Sequence, residues 1–134
     1  MFRRGATGSP LTPEGMETAV KDTLFLLKPG FLDGSSRFFC GECAMVEGML
    51  SFYPPLREKL DVRYVGYARP RSDVIALVGE ENQGVPLLVL GDRERMKGAP
   101  PSIEWGEADG RTFIQHPFQI CEYLAARYGA DRPH

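Results

Sequence analysis

Phe39-Cys40-Gly41-Glu42-Cys43-Ala44-Met45-Val46-Glu47-Gly48-Met49-Leu50-Ser51-Phe52-Tyr53-Pro54-Pro55 is the stretch on which the reading of this chain turns. Cys43, Val46, Leu50 and Tyr53 recur three or four residues apart while Glu42 and Glu47 are free to face solvent, which is the period of an amphipathic helix beginning at Cys40. Pro54-Pro55 ends it, because proline lacks an amide donor and disfavours the helical conformation of the residue before it. Two cysteines therefore stand one turn apart at a helix N-terminus, where unpaired amides and the helix dipole favour a thiolate.

Upstream, Thr23-Leu24-Phe25-Leu26-Leu27 is a short apolar run closed by Lys28-Pro29-Gly30, the pattern of a strand buried on both faces and then a turn. Residues 30–39, with Asp33, Gly34, Ser35 and Ser36, have loop composition. Downstream, residues 61–67 alternate and are rich in β-branched and aromatic side chains, which predicts a second strand, parallel to the first because a helix connects them. Residues 70–79 predict a helix capped by Ser72 or Asp73, with Val74, Leu77 and Val78 as its stripe and Gly79 as its stop. Residues 85–90 predict a third strand, with Pro86 at its first position because proline cannot donate to the ladder.

Residues 91–110 read as an extended hairpin excursion leading to a fourth strand near Arg111 to Ile114. Pro117 then opens a last helix with Cys121, Leu124, Ala125 and Tyr128 on one face and Gly129 at its end. The predicted order is β-α-β-α-β-β-α in one domain over residues 21–134. Residues 1–20, which carry Gly5, Gly8, Pro10, Pro13 and Gly15 and little apolar periodicity, are read as a flexible leader.

A length of 134 residues suits a single core, and 43% hydrophobic with 25% charged residues is the composition of an ordinary globular domain. A net charge of -2 leaves no basic field to neutralise a run of phosphates, so a nucleic-acid partner is not expected. The longest apolar runs are too short to span a bilayer, and no apolar region follows Arg3-Arg4, so neither membrane insertion nor export is expected and the location follows as cytoplasmic. Three cysteines without an export signal argue against a disulfide framework. A CxxC pair in a reducing compartment points to redox chemistry or half of a metal site. The metal reading is the weaker, because only Cys121, His116 and His134 remain as soft ligands, and no metal is expected.

With CxxC directly after the first strand, Val85-Pro86 before the third and an amphipathic helix at the end, the chain resembles the thioredoxin-like superfamily, with glutaredoxins and the N-terminal domain of glutathione transferases nearest in layout. More narrowly, residues 23–30, 39–48 and 79–86 look like an uncharacterised bacterial family of that superfamily, a domain of unknown function. The resemblance implies an α/β three-layer sandwich around a mixed four-stranded sheet. It implies that Cys40 is the attacking sulfur and Cys43 the resolving one, that the Val85–Pro86 bond is cis, and that Val85 and Pro86 bind substrate through the free Val85 backbone. The implied function is thiol-disulfide exchange with a protein or low-molecular-weight disulfide, without a cofactor and with glutathione as the candidate co-substrate.

The sequence departs from those relatives in three places. Gly41-Glu42 is neither Gly-Pro nor Pro-Tyr, the loop before Cys40 is longer, and His116-Pro117 stands where glutathione transferases carry an acidic residue and a serine. The Glu42 carboxylate is expected to push the Cys40 thiol upward, making it a moderate nucleophile. The alternative is a non-catalytic thioredoxin-like binding module in which both cysteines merely line a helix. Lys28 and Arg37 flank the proposed site as cations for a thiolate or anionic ligand, but solvated surface charge is the preferred reading of both. Cys121 reads as core, Trp105 as packing within the excursion, and Asp92-Arg93-Glu94-Arg95 as a solvated turn.

Overall fold

The structure is a computed structural model that describes residues 20–134; apart from Val20, the leader read in the sequence lies outside the described residues. The elements in chain order are β1 (Asp22–Leu27), β2 (Phe31–Asp33), β3 (Ser36–Phe38), α1 (Gly41–Phe52), α2 (Leu56–Lys59), β4 (Leu60–Val65), α3 (Ser72–Val78), β5 (Leu87–Val89), β6 (Gly106–Ala108), β7 (Arg111–Ile114) and α4 (Pro117–Tyr128). This is a mixed α/β fold.

All six residues of β1 are buried, as an apolar run without alternation requires, because the strand lies inside the sheet and is covered on both faces. β4 pairs with it in parallel, Asp22 opposite Leu60 through Leu27 opposite Val65, and β5 pairs with it antiparallel, Thr23 opposite Val89. The strand order is β4-β1-β5-β7-β6. The expected four-stranded sheet is therefore corrected to five among the described residues. The added strand, β6, joins β7 through Asp109-Gly110, both at positive φ, which closes a tight two-residue hairpin whose twist matches the strands.

Strand alternation assigns the faces. Asp22 meets Tyr123 and Tyr128 of α4, and Leu26 and Tyr64 share a cleft with α1, so α1 and α4 cover that side. Thr23 and Val89 point the other way, toward Leu77 of α3, whose Val74 and Val78 are fully buried. Helix α1 begins where the sequence places it, with Cys40 as N-cap, and buries Cys43, Val46, Met49 and Leu50. α4 opens on Pro117 and stops at Gly129, whose φ of 78° is the left-handed value that glycine adopts without a Cβ clash.

Smaller elements depart from expectation. Residues 30–39 form the β2–β3 hairpin rather than a loop, Phe31 opposite Phe38. A short helix, α2, follows Pro54-Pro55 before β4 begins. α3 takes Arg71 at its N-cap position and has no side-chain cap from Ser72 or Asp73. β5 starts at Leu87, one residue after Pro86, and the Arg69–Pro70 and Val85–Pro86 bonds are both cis.

The solvated turn read at residues 92–95 holds for Asp92, Arg93 and Glu94, which are exposed, and is corrected at Arg95. Arg95 folds inward, its side chain only 10% exposed, and donates to Asp22 Oδ1 at 2.6 Å. The fully buried Asp22 carboxylate further accepts from the Gly91 amide and from the Tyr123 and Tyr128 hydroxyls, each at 2.8 Å. A buried charge is tolerable when every oxygen has such partners. The chain at Gly91 passes so close to the Val20 and Lys21 carbonyl oxygens that a Cβ there would collide with backbone. Gly91→Ala is expected to lower stability by about 1–3 kcal/mol, the usual cost of overpacking, read from the urea unfolding midpoint.

Candidate functional site

The two sulfurs of α1 have different environments because the helix starts at the surface and runs inward. Cys40, the N-cap, is half-buried, and its Sγ accepts from the Cys43 amide at 3.2 Å, satisfying one of the orphan donors of the first turn. Cys43, one turn later, is only 4% exposed. Its Sγ accepts from the Leu27 amide at the end of β1, 3.4 Å away. Both are free thiols.

Burial pushes the Cys43 thiol up to about 12, helped by its hydrogen bond with Cys40 and by the nearby charges of Cys40 and Glu42. Cys121 on α4, also buried, is pushed up to about 11 by burial alone. Both folded thiols thus keep their protons at pH values where the unfolded chain, with thiols near 9.0, loses them. Above pH 9 the unfolded state binds fewer protons than the folded one, so stability falls as pH rises from about 9 toward 12. Urea midpoints taken between pH 8 and pH 10 are expected to fall in the wild-type protein and to fall less steeply in Cys43→Ala.

Beside the sulfurs lies a cleft of about 400 Å³ lined by Leu26, Leu27, Pro29, Phe39, Cys40 and Cys43, with Glu47 and Tyr64 as its polar members. Phe39, 68% exposed, stands immediately before Cys40. Tyr64 donates to Glu47 at 2.7 Å, and Arg57 donates both to Tyr64, at 3.2 Å, and to Glu47. Burial raises the Glu47 carboxyl, but hydrogen bonds from Tyr64 and Arg57 outweigh it and hold the group below its ordinary value. Glu47 is thus a compensated carboxylate.

The β2–β3 hairpin stands next to the site because Phe31 stacks on Tyr67 with ring centroids 4.3 Å apart and Arg37 donates to the Gly30 carbonyl at 2.9 Å. Arg37 is thereby a hairpin brace. Lys28 instead lines a second pocket, of about 210 Å³, together with Tyr64, Gly66, Pro70, Arg71 and Asp73. Tyr64 belongs to both cavities, so the polar pocket adjoins the thiol cleft.

Sequence reading missed Arg71 and the Glu47–Tyr64–Arg57 cluster. Arg71 is only 8% exposed and donates to the Gln83 and Tyr67 carbonyls at 2.8 and 2.7 Å. Nothing in Arg69-Pro70-Arg71-Ser72 distinguishes a buried arginine from a surface one. Its partner Gln83, which also accepts from the Arg71 amide at 2.7 Å, comes 12 residues later in the chain, after α3.

Cys40 and Cys43 are brought together by α1. Val85 and Pro86 lie in the bend before β5, Val85 half-buried and Pro86 buried, and neither lines the thiol cleft. His116 is exposed at the N-cap of α4. Trp105 packs edge-to-face on Tyr123, with centroids 6.0 Å apart. Among the described residues no group of three or more His, Cys, Asp or Glu side chains is placed to hold a metal ion, and no helix is long and apolar enough to cross a membrane.

A family model described as protein of unknown function (DUF3088) matches residues 21–132. No curated protein and no solved structure matches the chain.

Proposed function

The chain belongs to that family of unknown function, and from its thiol site we propose that it is a thioredoxin-like thiol-disulfide redox protein acting through Cys40 and Cys43. The observation that carries this reading is the division of labour along α1: a half-buried sulfur at the N-cap, bordering an apolar cleft, one turn ahead of a buried and protonated one. The parallel β1-α1-β4 unit, the antiparallel β5 and β7 and the closing α4 support a thioredoxin-like layout.

In the proposed reaction the Cys40 thiolate attacks one sulfur of a substrate disulfide. The new S–S bond joins Cys40 to half of the substrate, and the other half leaves as a thiolate that takes up a proton. Cys43 then loses its proton and attacks the Cys40 sulfur, forming the Cys40–Cys43 disulfide and expelling the second half as a thiol. Two electrons pass from the cysteine pair to the substrate, and a dithiol reductant returns the pair to its reduced form. The apolar cleft supplies a dry surface for the substrate chain, and the Leu27 amide, which already hydrogen-bonds the Cys43 sulfur, stabilises the resolving thiolate as it forms.

The test is turnover of 2-hydroxyethyl disulfide and of insulin with dithiothreitol as reductant. Protein-dependent acceleration of either supports the reading. Rates equal to those of dithiothreitol alone on both substrates favour the non-catalytic module.

A further inference from the structure

Among the described residues β4 is one edge of the five-stranded sheet. The Lys28 amide donates to the Val65 carbonyl at 2.8 Å, so Val65 turns its N–H and C=O toward β1. By strand alternation Asp61 and Arg63 do the same, and Leu60, Val62 and Tyr64 turn theirs outward. Of these outward groups the Leu60 amide is taken by the Leu56 carbonyl of α2. The Leu60 carbonyl and both backbone groups of Val62 and Tyr64 find no backbone partner among the described residues.

An edge of this kind is a template for another strand, and exposed edges are commonly defended by proline, a bulge or lysine. β4 has none of the three: Leu60-Asp61-Val62-Arg63-Tyr64-Val65 runs in unbroken register with β1. Its charges are one of each sign, two residues apart, so they can complement a second copy rather than repel it.

Parity and charge together select how two copies would meet. In an antiparallel pair, both hydrogen bonds are exchanged only between residues whose N–H and C=O face each other, which here are Leu60, Val62 and Tyr64. A two-fold axis at Val62 sets Val62 against its own copy, Tyr64 against Leu60 and Asp61 against Arg63. The Tyr64 amide then donates to the Leu60 carbonyl, the outward group of Leu60 that α2 leaves open. An axis at Asp61 or at Arg63 satisfies the same parity but sets like charges directly opposite, which is destabilising.

We propose that β4 is a self-complementary dimerisation edge, at which two copies of this chain pair antiparallel about Val62 and join their sheets into one. The contact uses the same strand of both copies, so it closes at the dimer. Within one chain Arg63 donates to Asp61 at 3.0 and 2.8 Å, and pairing extends this contact into a cluster of alternating charges. Tyr64 also lines the thiol cleft, so the partner strand fixes one wall of each site. The proposal goes beyond the redox reading and does not depend on it.

Sedimentation velocity of the full chain over a concentration series tests it, with a reversible dimer as the expected result. Arg63→Glu makes every facing charge negative, and Asp61→Lys makes every one positive. Each is expected to raise the dimer dissociation constant about tenfold or more, because attractive cross-strand pairs become repulsive. Both variants alter only an exposed ion pair, so the fold is expected to survive them. Mixed in equal amounts, the two variants are expected to form a heterodimer, and the double variant Asp61→Lys/Arg63→Glu to recover the homodimer. Hydrogen exchange of the Val62 and Tyr64 amides is expected to slow as wild-type concentration rises.

A chain that stays monomeric up to about 1 mM, where even weak association registers, overturns the proposal. So does a dimer indifferent to both charge variants, a failure of the variants to pair when mixed, or assembly beyond the dimer. A dimer lost in Phe52→Ser but kept in Arg63→Glu overturns it as well, placing the contact on the outer face of α1, where Phe52 is 79% exposed.

Discussion

Replacing Cys40 by serine is expected to bring disulfide reduction down to the background of the reductant alone. The hydroxyl has nearly the same shape, but it cannot form the sulfur–sulfur bond on which exchange depends. Cys43→Ser should behave differently. Its Cys40 still attacks, the mixed disulfide has no resolving sulfur, and the adduct accumulates until external thiol releases it. Intact mass after incubation with 2-hydroxyethyl disulfide is expected to show one mercaptoethanol adduct on Cys43→Ser and none on Cys40→Ser. Cys121 does not substitute, because it is buried on α4 and its thiol is pushed up to about 11. An adduct on Cys40→Ser would move the nucleophile elsewhere.

The largest stability effect is expected at Asp22, far from the sulfurs. Asp22→Ala leaves Arg95 buried without its anion and strands the Tyr123 and Tyr128 hydroxyls and the Gly91 amide. Removing one partner of a buried ion pair costs about 3–5 kcal/mol, a large share of the stability of a domain this size. The network ties β1, the segment after β5 and α4 together, so its loss is felt by the whole core. Asp22→Asn, which keeps the shape and an acceptor, is expected to lose less. Urea unfolding checks both, and an Asp22→Ala protein within about 1 kcal/mol of wild type, the effect of an ordinary exposed ion pair, would contradict this account.

What was legible in the sequence was what periodicity encodes. β1 reads correctly because an unbroken apolar run suits a strand covered on both faces, and α1 and α4 because their stripes are bounded by prolines and a glycine. The β2–β3 and β6–β7 hairpins were harder, since three-residue strands such as Ser36-Arg37-Phe38 offer too few positions for alternation to register. Asp109-Gly110 was nevertheless a usable turn signal.

The site divides in the same way. Cys40 and Cys43 announce themselves by spacing and by their place at a helix start. The buried charges do not, because their burial is decided by distant partners. Asp22 meets Gly91, Arg95, Tyr123 and Tyr128 across 69, 73, 101 and 106 residues, and nothing local in Asp92-Arg93-Glu94-Arg95 marks the fourth residue as the inward one. Arg71 is hidden for the same reason: its burial depends on Gln83 and on the turn at Tyr67.

The central claim is that Cys40 and Cys43 form a reversible redox couple. The most direct measurement is equilibration of the wild-type protein across a series of glutathione redox buffers, followed by alkylation of free thiols and peptide mapping. The account predicts a Cys40–Cys43 disulfide that appears and disappears as a two-electron couple while Cys121 stays alkylatable in the denatured protein throughout. Free Cys40 and Cys43 in every buffer, or a disulfide that includes Cys121, would contradict it.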